Sequence, residues 1–161
     1  MIKNEGGYIL TKVKGDRGGL TYAGISRKYH PNWSGWKLVD DKALKSPKLH
    51  RRVQSFYKKQ FWDGIKGDQI KSQEVANTIF DFSVNAGQKV SSKLAQKVVG
   101  VKPDGVIGPK SLAKINKADP DDFKLRFAMA KVERYAQIVN RDKSQKKFLL
   151  GWINRTLDDL A

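Results

Sequence analysis

One glutamate, one aspartate and one threonine occur near the start of the chain, in a segment rich in glycine. Glu5 belongs to Glu5-Gly6-Gly7-Tyr8, and Asp16 and Thr21 belong to a second run over residues 15–25. Each glycine costs roughly 0.5 to 1 kcal/mol of backbone entropy unless the chain needs an unusual angle or a close approach. Hydrolysis of a glycosidic bond requires a carboxylic acid that protonates the leaving oxygen and a second polar group that handles water. These residue types are suited to that chemistry, with Glu5 as the acid and Asp16 and Thr21 orienting water.

Other hydrolytic chemistries have little support in the sequence. The chain has no cysteine, which excludes thiol catalysis, disulfides and cysteine-based zinc sites. Its two histidines, His30 and His50, are far apart, and neither an HExxH pattern nor a GxSxG pattern is present. We therefore predict chemistry based on carboxylates, with no metal and no cofactor. The only glutamates are Glu5, Glu74 and Glu133.

The charge balance of the chain is strongly basic. Its 161 residues include 32 Lys and Arg against 16 Asp and Glu, a net charge of +16 that is spread over both halves. Such a field attracts polyanions in general, including nucleic acid, anionic membranes and acidic wall polymers. We expect only non-specific contact with anionic membrane or wall polymers, because no motif for specific nucleic-acid binding is recognisable.

Apolar residues recur at helical spacing from Pro47 onward, which predicts an all-α or mainly α fold. Residues 1–47 are expected to be mostly loop, with a glycine-rich loop or small hairpin in residues 8–25. Ser72 and Ser144 are predicted as helix N-caps. The apolar residues of the helix after Pro120 spread widely around it, so we predict that it is the core helix. The predicted helices are 47–62, 72–87, 90–98, 109–115, 120–140 and 144–160.

The helix after Ser72 carries a polar stripe on a largely apolar background. Asn77, Asp81, Asn85 and Gln88 fall at helical spacing and share one face. A solvated surface is the ordinary explanation for such a stripe. We instead expect it to line a cleft, with Asn85 contacting substrate, because a central helix would otherwise bury these groups unpaired.

Six segments of the chain match the pattern of one known family: Glu5 to Tyr8, Asp16 to Ile25, Tyr57 to Asp63, Asp81 to Gly87, Asp104 to Pro109 and Phe148 to Arg155. Together they resemble glycoside hydrolase family 108, the lysozyme-like N-acetylmuramidases common among phage endolysins. The Asp104 to Pro109 segment is similar to the start of that family's peptidoglycan-binding region. The resemblance covers nearly the whole chain.

The resemblance implies Glu5 as the catalytic acid, with Asp16 and Thr21 as weaker matches to the family's pattern. It implies one lysozyme-like domain over 1–161, in which 1–87 form the catalytic part and 88–161 a helical part resembling a peptidoglycan-binding region. The expected reaction is cleavage of the β-1,4 bond between N-acetylmuramic acid and N-acetylglucosamine. A lytic transglycosylase that uses the same glutamate, and a non-catalytic basic module that binds cell wall or nucleic acid, are the alternatives.

Further expectations concern substrate contacts and location. We predict Tyr8, Tyr22 and Asn85 as substrate-binding residues and peptidoglycan glycan strands as the partner of a monomeric protein. Trp152 and Phe148 are predicted to lie in the core. No signal peptide is visible. We therefore expect synthesis in a host cytoplasm and action in the periplasm or cell wall after release, for example through a holin.

Overall fold

The structure is a computed structural model that describes residues 7–12 and 19–160. The chain divides into two compact units, Met1–Gln60 and Phe61–Ala161. The fold is mainly α with one small sheet, as the sequence predicts. The boundary between the compact units lies well before the predicted boundary between a catalytic part, 1–87, and a helical part, 88–161.

The first unit begins with the small hairpin that the sequence predicts, extended by a third strand. The strands β1 (Leu10–Lys12), β2 (Leu20–Tyr22) and β3 (Ile25–Ser26) form an antiparallel sheet in the order β1-β2-β3. A short helix, α1 (Trp36–Asp40), follows in the segment predicted to be mostly loop. Five residues are too few to show a helical period in the sequence.

Helix α2 (Pro47–Tyr57) completes the first unit and continues into a π-helical segment, Lys58–Trp62. The side chain of Ser46 caps it, because its hydroxyl accepts a hydrogen bond of 3.3 Å from the backbone of Lys48. The helix starts where the sequence predicts, and the helical segment reaches the predicted end at Trp62 only through its π-helical part. Its buried face consists of Leu49, Val53 and Tyr57.

All regular elements of the second unit, in its described residues, are helices or helical turns. Local signals place several helix ends: the Ser72 hydroxyl accepts from the backbone of Val75 at 3.3 Å, and Gly87 ends the same helix with a φ of +90°. The elements are a 3-10 turn Gly67–Gln69, α3 (Gln73–Ala86), α4 (Gln88–Val98), α5 (Pro109–Lys117), α6 (Pro120–Arg141), a 3-10 turn Lys143–Gln145 and α7 (Lys146–Asp158).

The predicted N-cap at Ser144 is wrong. Ser144 lies inside the 3-10 turn, and its backbone N–H donates to the carboxylate of Asp142 at 2.9 Å. Helix α7 begins after Gln145, whose side chain makes no capping bond. An aspartate two residues earlier therefore takes the capping role, and it caps the turn that leads into the helix.

Aromatic rings from α3 and α6 form the core of the second unit. Phe82 meets Phe127 edge to face with ring centres 5.7 Å apart, and Phe123 stacks on Phe127 at the same distance. Phe123 and Phe127 are fully buried. Helix α6 is thus the core helix that the sequence predicts, on the face that carries these rings.

The opposite face of α6 corrects that prediction in part. Leu125 and Met129 are 57% and 68% exposed, so the apolar residues of this helix are not all in the core. The predicted core position of Phe148 on α7 is also wrong, since this side chain is 47% exposed. Trp152 is half-buried against Tyr135, with ring centres 5.2 Å apart.

The described residues contain neither a membrane-spanning helix nor a cluster of metal-binding side chains. No helix in residues 7–12 and 19–160 is long and apolar enough to cross a membrane. Within the same residues, no group of three or more histidine, aspartate or glutamate side chains could hold a metal ion.

Candidate functional site

The turn between β2 and β3 has an unusual backbone. Tyr22 pairs with Ile25, which leaves Ala23 and Gly24 as a two-residue loop. Both loop residues have positive φ, +47° and +78°, the pattern of a type I′ hairpin turn. Alanine pays a steric cost in this region, so its conformation needs support from the surrounding residues.

Helix α2 and the first strand supply that support. The Tyr57 hydroxyl on α2 donates a buried 2.8 Å hydrogen bond to the carbonyl of Ala23. The backbone N–H of Ala23 donates to the carbonyl of Ile9 at 3.0 Å. Ala23 is only 2% exposed. Hydrogen bonds to Tyr57 of α2 and to Ile9 therefore hold the turn at Ala23 in place.

Thr21 lies on the central strand of the sheet. It pairs with Thr11 on β1 and with Ser26 on β3, and its carbonyl accepts a long hydrogen bond of 3.5 Å from the Thr11 hydroxyl. Its side chain is partly exposed. Thr21 thus has the fixed backbone that a residue orienting water needs.

Tyr22 follows Thr21 and points to the opposite face of the sheet, because side chains alternate along a strand. It is fully buried, and its hydroxyl donates to the carbonyl of Leu44 at 2.8 Å. Burial, and more weakly the charge of Tyr8, raise the pKa of the Tyr22 phenol. These contacts favour a structural role for Tyr22 over the predicted contact with substrate.

Tyr8 comes three residues after Glu5 in the sequence. Its ring stacks on His50 of α2, with ring centres 3.8 Å apart and planes 23° from parallel. Gly7, with a φ of +76°, precedes it in a conformation that favours glycine. Helix α2 therefore contacts two parts of the first unit. One is Tyr8, the last residue of the Glu5 motif, and the other is the turn after Thr21.

An ion pair joins the end of the sheet to α1. The guanidinium of Arg27 donates to both carboxylate oxygens of Asp40, at 2.6 and 2.8 Å, and lies 5.2 Å from the ring centre of Trp36. The hydrogen bond from Arg27 lowers the pKa of Asp40. Sequence reasoning missed this pair, since neither residue lies in a motif and their spacing fits no helix.

The loop aromatic residues around α1 differ in exposure. Trp36 is 3% exposed, and its indole N–H donates to the carbonyl of His30 at 2.7 Å. Trp33 packs edge-on against it with ring centres 5.1 Å apart. Tyr29, in contrast, is 70% exposed. Of these three rings, Tyr29 has the most surface free to contact a ligand.

Asn85 lies on α3 in the second unit. Its side-chain oxygen accepts a hydrogen bond from Arg155 of α7, and its side-chain N–H₂ donates to the carbonyl of Asp81 at 2.9 Å. Asn85 and Asn77 are both exposed, so the premise that the polar stripe would otherwise be buried unpaired is wrong. The substrate contact of Asn85 stays a prediction.

The two remaining predicted residues, Glu5 and Asp16, lie outside the described residues. The structure thus describes four of the predicted site residues. Tyr8, Thr21 and Tyr22 lie in the first unit, and Asn85 lies in the second. Among these four, the ring contact of Tyr8 and the strand position of Thr21 favour the predicted site most directly.

A buried glutamine organises the loop between α4 and α5. Gln96 is 1% exposed, and its side-chain N–H₂ donates to Asp104, to the carbonyl of Val106 and to Ser111 at 2.8 to 3.0 Å. Its side-chain oxygen accepts from the backbone of Gly105 at 2.8 Å. Sequence reasoning missed Gln96, whose only signal is a polar residue at an apolar position of a helix.

The structure defines a mainly helical protein whose small N-terminal sheet is anchored on a helix, with a separate helical unit after it. The model of the glycosyl hydrolase 108 family matches residues 1–87, and the chain belongs to this family. A predicted peptidoglycan domain matches residues 90–157. The chain is therefore a glycoside hydrolase that acts on peptidoglycan.

Comparison with solved structures finds a protein of similar fold. The structure of SagA from Brucella abortus is similar over 99% of this chain and 86% of that chain, with a TM-score of 0.71 and 28% sequence identity. No curated protein matches the chain significantly. The similarity to SagA extends over both compact units.

Proposed function

We propose that the protein is an N-acetylmuramidase in which Glu5 is the general acid. The observation that carries the proposal is the family match over 1–87, which includes the Glu5-Gly6-Gly7-Tyr8 motif. In this mechanism Glu5 protonates the oxygen of the β-1,4 bond that leaves N-acetylmuramic acid. Positive charge develops on the sugar ring, and water attacks it.

The settings of the other two glutamates support Glu5 as the acid. The Glu74 side chain is 67% exposed and pairs with Lys124 at 2.6 Å. The Glu133 side chain is 51% exposed and pairs with Lys97 at 2.5 Å. A general acid must place its proton on the leaving oxygen of the substrate, whereas both of these carboxylates already bind a lysine on the surface.

Asp16 and Thr21 act in this proposal as the groups that orient the attacking water. The support for Thr21 is its place on the central strand, paired on both sides, next to a turn that Tyr57 holds. A rigid hydroxyl loses little entropy when it positions water. Asp16 enters through its place in the same glycine-rich segment.

Peptidoglycan lies outside the cytoplasmic membrane, so the proposed site of action is the periplasm or cell wall. A phage or prophage lysis enzyme released by a holin would fit this activity. The net charge of +16 would concentrate such a protein at anionic walls.

The test is Glu5→Gln, which keeps the size of the side chain and removes its acidic proton. We expect the release of sugar from purified peptidoglycan to fall by at least about a hundredfold, the lower range for general acid catalysis. Glu74→Gln is the matched control and should keep wild-type activity. Lys124 also pairs with Asp121 at 3.0 Å, so it keeps a partner when Glu74 changes.

The outcome that refutes the mechanism is near wild-type release by a folded Glu5→Gln protein. Loss of activity in the Glu74→Gln control to the same extent would refute the assignment of the acid. Mass spectrometry of the wild-type products identifies the reaction: reducing N-acetylmuramic acid ends are expected, and 1,6-anhydro ends would show a lytic transglycosylase instead.

A further inference from the structure

A groove runs between α4 and α6 in the second unit. It consists of two adjoining cavities of about 240 and 460 Å³. Lys97 of α4 and Ala130 and Glu133 of α6 line both cavities, so the two are continuous. The Lys97 and Glu133 side chains form a 2.5 Å ion pair across the groove at this shared point.

The larger cavity has an apolar lining. Its apolar residues are Leu125, Met129 and Ala130 of α6 and Val98 of α4. The charged residues that also line it, Lys97, Arg126 and Glu133, are held in ion pairs. Leu125 and Met129 are 57% and 68% exposed, although both lie on a helix whose other face forms the core. Neighbouring exposed apolar side chains in a concave site are typical of a binding surface.

The smaller cavity has a cationic lining. Lys93 and Arg134 both line it, and neither forms an ion pair within the described part of the chain. Glu133 is the acidic residue of that lining, and Lys97 already neutralises it. Lys93 and Arg134 therefore leave two uncompensated positive charges for a ligand.

The length of the groove limits the size of its ligand. From Leu125 to Gln137 it follows α6 for twelve residues, or about 18 Å at 1.5 Å per residue. An extended peptide of about five residues has nearly the same length, roughly 17 Å at 3.3 to 3.6 Å per residue. A short extended peptide would fill both cavities at once.

We propose that this groove binds the stem peptide of peptidoglycan. Stem peptides are short, rich in alanine and carry free carboxylates, so alanine methyl groups occupy the apolar cavity while a carboxylate lies between Lys93 and Arg134. A neutral glycan strand would leave these two charges without partners, and no aromatic ring lines either cavity for a sugar to stack on. The proposal rests on peptidoglycan as the substrate, and it does not depend on the role of Glu5.

The experiment measures binding of a synthetic stem peptide, built from alanine, γ-linked glutamate and a diamino acid, to the full chain by calorimetry. We compare the wild type with Lys93→Gln/Arg134→Gln, which removes both uncompensated charges. Loss of two charge-assisted hydrogen bonds should weaken binding at least about tenfold. Leu125→Ser/Met129→Ser should weaken binding independently, through the apolar cavity.

The matched control is Lys110→Gln/Lys114→Gln, which removes two exposed charges from α5, outside the groove. The control should bind the peptide as the wild type does, and thermal unfolding should show that all variants are folded. Equal loss in the control would show that only net charge matters, which overturns the proposal. Wild-type binding by both groove variants would overturn it as well.

A vesicle of anionic phosphatidylglycerol tests the other occupant that a basic apolar groove could accept. Suppose that the wild type binds the vesicles but not the peptide, and that both groove variants lose vesicle binding. This result would assign the groove to lipid and refute a peptide site. Because the readout is binding, a failed Glu5→Gln experiment leaves this result unaffected. Loss of the groove site in turn leaves the test of Glu5 valid.

Discussion

The buried ion pair between Lys131 and Asp159 gives the sharpest test of how the second unit is held together. Lys131 on α6 is 2% exposed, and its ammonium lies 2.6 Å from the carboxylate of Asp159 at the end of α7. It also lies 5.5 and 5.6 Å from the ring centres of Phe82 and Phe127. The change to make is Asp159→Ala, which leaves this buried charge without its carboxylate.

The expected cost follows from four effects. Removing one partner of a buried pair costs about 3 to 5 kcal/mol. Two features of the site reduce that value: both rings continue to stabilise the ammonium, and the Asp159 side chain is 19% exposed, so water can approach it. Asp159 also lies at the C-terminal end of α7, where a negative charge costs about 0.3 to 1 kcal/mol. We therefore expect a net loss of about 2 to 3 kcal/mol.

Thermal unfolding and urea unfolding near neutral pH measure this loss. For a chain of this size, about 2 to 3 kcal/mol corresponds to a fall in Tm of roughly 4 to 12 °C. The control is Glu133→Ala, which removes the partner of Lys97 from a pair that is about half exposed, 56% and 51%. Exposed pairs contribute about 0 to 1 kcal/mol, so the control should shift Tm little.

Lys131→Met distinguishes a buried charge from a loss of packing. Methionine has a similar volume and suits the space between Phe82 and Phe127, while the partly exposed Asp159 can regain water. Replacement of a buried pair by apolar side chains is often neutral or stabilising. If Lys131→Met destabilised the protein more than Asp159→Ala, or if Asp159→Ala cost no more than Glu133→Ala, the reasoning would be refuted.

Two further predictions concern a carboxylate and a phenol. The hydrogen bond from Gln96, followed by that from the backbone of Val106, lowers the pKa of Asp104 below its ordinary value of 3.8. The charge of Asp104 therefore stabilises the fold above that value, and this contribution disappears as the pH falls through the lowered pKa. Asp104→Asn should be less stable than the wild type at pH 7, and the difference should shrink as the pH falls below 3.8, as urea unfolding would show. Tyr57→Phe leaves the buried Ala23 carbonyl without this donor and should cost about 1 to 2 kcal/mol and reduce activity, whereas Tyr29→Phe, at an exposed ring, should change neither.

Local sequence signals predicted the helices of the second unit well. Ser72 caps α3 and Gly87 ends it, as predicted, and Asp119 caps α6 through hydrogen bonds of 3.1 and 2.9 Å to the next two free backbone N–H groups. Each signal acts within three residues, so it needs no knowledge of the fold. The predicted N-cap at Ser144 is wrong because the nearby Asp142 takes the capping role instead.

Burial depended on tertiary contacts that the sequence does not show. The pattern of α6 contained enough apolar residues for a fully buried helix, yet no described element covers Leu125 and Met129. The premise that the polar stripe on α3 would otherwise be buried is wrong for a related reason, because Asn77 and Asn85 face solvent. Composition shows how apolar a helix is, but only the packing of neighbouring helices decides which face is covered.

Within the candidate site, strand alternation could have separated Tyr22 from Thr21. Adjacent residues on a strand face opposite sides, so both cannot line the same cleft from one face of the sheet. The ring contact between Tyr8 and His50 could not have been predicted, since forty-two positions separate them and neither belongs to a periodic pattern. The motif identifies the residue types, while α2 determines which of them are held in place.

The Asp104 to Pro109 motif shows how a conspicuous sequence pattern is explained by its own turn. Asp104 accepts from Gln96 at 2.8 Å and from the backbone of Val106 at 2.9 Å. Gly105 is buried with a φ of +89°, and a Cβ there would lie 2.7 Å from the side chain of Lys89. These contacts account for the aspartate and the glycine without a ligand, so the motif gives no reason to place peptidoglycan binding at this turn. The groove between α4 and α6, whose apolar and cationic side chains have no such internal explanation, is the better place to look for it.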